Sequence, residues 1–88
     1  MQFFLFSFYD DAVKAFTPPF AARSEQEAIR NFQSVLRDDR HPMAQFPQHY
    51  SLFVIGMFDD ANAQVAMHTA PVLVGTAMSY MESPPKRD

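Results

Sequence analysis

The chain has no cysteine. It cannot be stapled by a disulfide or hold a metal through thiolates, and its composition is compatible with the cytosol. Glycine is nearly absent too, with two in 88 residues, so there is no glycine-rich phosphate loop. No serine is set in a nucleophile elbow. The apolar run Met1 to Tyr9 lacks a basic flank and a cleavage signal. It is also too short to cross a bilayer. An overall basic surplus is missing, because the formal net charge is −3 at pH 7. Nucleic-acid binders usually carry such a surplus, so any phosphate binding must come from a local patch.

What the chain has instead is aromatic surface. Ten Phe and three Tyr, with no Trp, make up 15% of the residues. A chain this short folds as one domain and buries roughly 60–65% of its unfolded surface. That thin core cannot easily hide so many rings. Small unstapled domains often gain stability by self-association.

The strongest local signal is Ser24 to Arg37. Apolar residues at Ala28, Ile29, Phe32, Val35 and Leu36 make one helical stripe. Ser24 with Glu27 reads as a capping box, and the helix is expected over Glu25–Arg37. Its outer face carries Gln26, Arg30, Gln33 and Arg37, and Arg23 extends the line before the cap. Such a face is commonly just solvated. Here its late charges are all arginine, whose planar fork suits phosphate and stacks on bases.

Gln2 to Tyr9 and Tyr50 to Phe58 read as strands, apolar on both faces. In the first, Phe4, Phe6 and Phe8 oppose Phe3, Leu5, Ser7 and Tyr9. In the second, Leu52, Val54 and Phe58 oppose Ser51, Phe53, Ile55 and Met57. Gly56 marks a bulge or a close backbone approach. Ala12–Phe16 and Ala63–His68 are expected to return as hairpin partners, with a further short strand at Val72–Val74. Thr17-Pro18-Pro19-Phe20 breaks pairing and leads to the helix. Asp38 to His49 is expected to be a loop. Asp10-Asp11, Asp38-Asp39 and Asp59-Asp60 could hold a hard cation, but each falls at a turn, where Asp bonds local amides. The three His residues match no compact metal motif. No catalytic constellation emerges, and neither a metal, a cofactor nor a small-molecule substrate is expected.

The order of motifs carries a resemblance. Phe6-Ser7-Phe8-Tyr9-Asp10, Pro18-Pro19-Phe20-Ala21-Ala22-Arg23, Glu27-Ala28-Ile29-Arg30-Asn31-Phe32 and Tyr50 through Asp59 together resemble the small non-structural protein of gokushovirus-type microviruses, phages with single-stranded DNA genomes. The resemblance covers roughly residues 5–75. Met57 stands where that family usually has an acidic residue. The resemblance implies a non-catalytic protein that binds single-stranded DNA during genome replication, single-strand synthesis or packaging, in the host cell cytoplasm. Phosphates would meet Arg23, Arg30 and Arg37, supported by Gln26 and Gln33. Bases would stack on Tyr9, Phe16, Phe20 or Tyr50.

The sequence therefore predicts an α+β domain over residues 1–75. A small, mostly antiparallel sheet of three to five strands is covered on one face by one amphipathic helix. Residues 76–88 are expected to be a C-terminal arm and a disordered tail, with Gly75–Met81 either a helical turn or an arm that packs on a neighbour. The apolar open face predicts a homo-oligomer, a dimer or larger, with no membrane association. The alternative function is an oligomeric interaction protein that engages a phage or host protein through its aromatic face, without nucleic acid.

Overall fold

β1 (Gln2–Asp10) is the axis of the sheet, flanked on both sides by antiparallel partners. In the computed structural model, which describes residues 1–82, the remaining strands are β2 (Ala15–Phe16), β3 (Phe20–Ala22), β4 (Tyr50–Asp59) and β5 (Gln64–Thr76). The strand order is β2-β1-β4-β5, and β3 also pairs with β1. β2 and β3 use successive stretches of one edge of β1, at Tyr9–Asp10 and Phe4–Phe6.

Between β2 and β3, Pro18 and Pro19 can donate no hydrogen bond, so Thr17 serves the edge alone. Its N–H donates to the Phe8 carbonyl at 2.8 Å, and its hydroxyl accepts from the Phe8 N–H at 3.1 Å. The buried Ser7 hydroxyl donates to the Thr17 carbonyl at 2.7 Å.

α1 (Glu25–Leu36) packs on one side of this sheet. Ala28, Phe32 and Leu36 are its buried stripe, and they meet Phe6 and Leu52 in the core. Ser24 accepts from the Glu27 N–H at 3.1 Å, as a capping box requires. The Glu27 carboxylate reaches one residue further back than the usual box and accepts from the Arg23 N–H at 2.6 Å. The expected α+β fold, an antiparallel sheet with a helix packed on it, is the observed one.

Four details differ from the sequence reading. The first is in the middle loop. α2 (Pro42–Gln45) and a single 3₁₀ turn (Pro47–His49) occupy it, and Met43 is buried. Pro42 lies in the first turn of α2, where its missing N–H costs nothing, and His41 Nδ1 caps the turn by accepting from the Met43 N–H at 3.1 Å.

The second is in β5, which is one strand of 13 residues, not two short ones. Its register shifts opposite Val54–Gly56, displacing the stretch from His68 to Pro71.

The third is the face of β4. A bulge lies where Leu5 and Phe6 meet Gly56 and Val54, so Ile55 is skipped in the pairing. One extra residue inverts the alternation beyond it. Phe58 therefore joins Phe3 on the side away from the helix, with ring centroids 6.4 Å apart, while Met57 pairs with Phe4. Gly56 also marks a close approach, since a Cβ there would lie 2.5 Å from the Ala66 carbonyl oxygen.

The fourth is the end of the packed unit. α3 (Ala77–Glu82) follows β5, and its Ala77 is fully buried in the core. The packing thus continues beyond residue 75. The expected tail, residues 83–88, lies outside the described residues. Among the described residues, no helix is long and apolar enough to cross a membrane.

Candidate nucleic-acid interface

Burying the stripe of α1 turns its opposite side outward. Gln26, Arg30 and Arg37 are exposed and Gln33 is half-buried. Arg30 and Arg37 are separated by seven residues, so they share one line along the helix about 10 Å apart on the axis. Arg23, also exposed, precedes the cap. Among the described residues the ion pairs are Met1 with Asp60 and His49 with Asp11, so none of these arginines is engaged by a carboxylate. For Arg30 the nearest carboxylate in sequence is Glu27, which is turned back to the Arg23 N–H. The guanidinium forks are therefore open to an external anion. Arg40 adds an exposed cation just past the helix, with its N–H held by the Asp38 carboxylate at 3.1 Å. Its position in a presumed loop gave the sequence reading no reason to choose it.

The aromatic candidates do not form one group. Tyr9 and Phe16 lie together on the sheet face away from α1, with centroids 4.8 Å apart and Phe53 completing the cluster. Phe20 lies on the helix side instead. It stacks between Phe6 and Phe8, at 5.8 and 5.3 Å. Tyr50 packs against the core. Its hydroxyl pKa is raised above the ordinary 10.0, first by burial and then by the neighbouring Asp10 carboxylate. The structure lines Gln26, Arg30, Gln33 and Arg37 along α1 and sets Arg23 just before its cap, while Tyr9 and Phe16 lie on the opposite face of the sheet.

The acidic pairs serve their turns. Asp10, Asp38 and Asp59 each accept from the N–H two residues on, at 2.9, 3.1 and 2.9 Å. Two of the second members are used elsewhere. Asp11 meets His49 Nδ1 at 2.7 Å, and Asp60 meets the N-terminal ammonium at 2.7 Å. The bond to Asp60 raises the ammonium pKa. Among the described residues, no group of three or more His, Asp or Glu side chains is placed to hold a metal ion.

Away from the helix, pairing builds four cross-strand rows. They are Phe3-Phe58-Val65, Leu5-Gly56-Met67, Ser7-Phe53-Leu73 and Phe16-Tyr9-Ser51-Thr76. None contains a Lys, Arg, His, Asp or Glu. The sequence reading missed Phe58, Val65, Met67 and Leu73 as members of this face, because they depend on the β4 bulge and on the continuity of β5.

Fold and surface together define a small two-layer α+β domain, with arginines along its helix and a bare apolar face on its sheet. The chain belongs to the phage ORF5 protein family, whose model matches residues 3–80. No curated protein and no solved structure matches it.

Proposed function

We propose that this phage protein is a non-catalytic binder of single-stranded DNA, acting in the host cytoplasm during genome replication, single-strand synthesis or packaging. The observation that supports this reading is the line of arginines along α1, exposed and free of carboxylate partners among the described residues. Phosphates bind such forks as charge-assisted, bidentate pairs. The amides of Gln26 and Gln33 add neutral hydrogen bonds to the backbone. Phe20 and Tyr50 are engaged with the core, and Tyr9 and Phe16 lie across the sheet from the arginines. Binding is therefore led by phosphate contacts rather than by stacking, which makes it tolerant of base sequence.

Salt titration of a labelled single-stranded oligonucleotide tests this reading, with a duplex in parallel. Three neutralised phosphates give a log–log slope of about −2. Arg30→Ala with Arg37→Ala leaves Arg23 alone, reducing the slope to about −0.7 and weakening binding at low salt. Absence of binding at low salt rejects the proposal, and so does binding unchanged in the double variant.

A further inference from the structure

From the uncharged rows of the open sheet face, we infer that this face is the docking surface for a second copy of the chain, closing a two-fold dimer sheet against sheet. Phe16, Val65, Met67 and Leu73 remain 44–62% exposed there. With their half-covered neighbours they present on the order of 600 Å² of apolar surface, the upper end of what a monomer leaves in water. The face has room for an interface. Four strand positions at about 4.8 Å, along a β1 of nine residues at about 3.3 Å each, span roughly 15 by 30 Å between backbones. Side chains widen this toward the about 800 Å² that each partner of a stable complex contributes.

Charge selects the occupant. Each chain carries a net charge of −3, so two copies repel across most of their surfaces. The open face is where two identical patches meet with no like charges opposed, as a two-fold contact demands. A partner recognised by its charges finds nothing to pair with there.

The sheet edges point the same way. Pro18 and Pro19 interrupt one edge, while Pro71 and the displaced stretch before it interrupt the other. Such devices block strand-to-strand continuation. They leave the open face as the route to association.

The test uses the full chain in sedimentation equilibrium at micromolar concentration, where the wild type is expected at the dimer mass. Leu73→Glu with Met67→Glu places two carboxylates on the face at positions already exposed in the monomer. The mass is expected to halve, with the far-ultraviolet circular dichroism unchanged. Val72→Glu is the control. Val72 is the neighbour of Leu73 but pairs with Val54, on the helix side, and it is equally exposed. That variant is expected to remain a dimer.

A monomeric wild type overturns the inference, as does a double variant that still dimerises. A monomer that instead sediments with neutral phospholipid vesicles assigns the face to a membrane surface and also overturns it. The inference does not rest on DNA binding. A dimer blind to DNA, or a monomer that binds it, tells the two readings apart.

Discussion

Tyr80 lies edge-on to Phe32, with ring centroids 5.7 Å apart, and covers Gly75 so closely that a Cβ there would overlap its phenol. One ring thus joins α3, α1 and β5. Burial raises its pKa above 10.0, with a smaller contribution from the Glu25 carboxylate. The fold holds the neutral phenol more firmly than the phenolate. The corresponding stability is present in full below the ordinary tyrosine pKa and is lost as pH rises through the raised one. Urea melts across alkaline pH are expected to show stability falling above the ordinary value. Tyr80→Phe keeps the ring and removes the ionisation, so its alkaline decline should be shallower. Sequence could not assign this role, since Phe32, its aromatic partner on α1, lies far away along the chain. The arginines were easier, because an exposed helix position follows from the buried stripe opposite it. Phe20 and Tyr50 were harder, because the side a ring takes at a strand end depends on which strand pairs there.

At the scale of elements, α1 was legible almost to the residue. Its stripe, its cap and its first-turn acids agree, and Arg37 proves to be the C-cap rather than the last helical residue. Ser24→Ala removes the acceptor for the Glu27 N–H. It is expected to cost about 1 kcal/mol in chemical denaturation, with the denaturant slope unchanged. α2 was hidden by its own start signal, since a proline reads equally as the end of one helix or the first turn of another. The β4 bulge was hidden for a different reason. Alternation can be read only while the count of paired residues holds, and Ile55 breaks the count without a polar or proline mark. Gly56 was the visible hint, and it marks both the bulge and the close approach of Ala66.

At the scale of the molecule, the surplus of aromatic side chains was the informative quantity. Phe6, Phe8, Phe20, Phe32, Tyr50 and Tyr80 belong to the core beneath α1, while Phe3, Tyr9, Phe16, Phe53 and Phe58 line the other face of the sheet. Strand order could not be read in advance. The two prolines after β2 do not reveal that β3 returns to the same edge of β1. The proposed dimerisation through the bare face would link stability to concentration by mass action. The calorimetric unfolding midpoint of the wild type is therefore expected to rise as protein concentration rises. That of Leu73→Glu with Met67→Glu should stay fixed, because that variant has no partner to lose.

The arginine helix and the bare sheet lie on opposite sides of one thin domain. Closing two bare faces on each other sends the two helices in opposite directions, so a dimer of this design has a valency of two. Neither helix can easily grip the short stretch of strand that the other holds. Each dimer would tie two strands, or two distant stretches of one, and the second grip would form at the raised effective concentration set by the first. With both proposals taken together, this layering would favour a crosslink over a sheath, gathering a flexible genome rather than coating it.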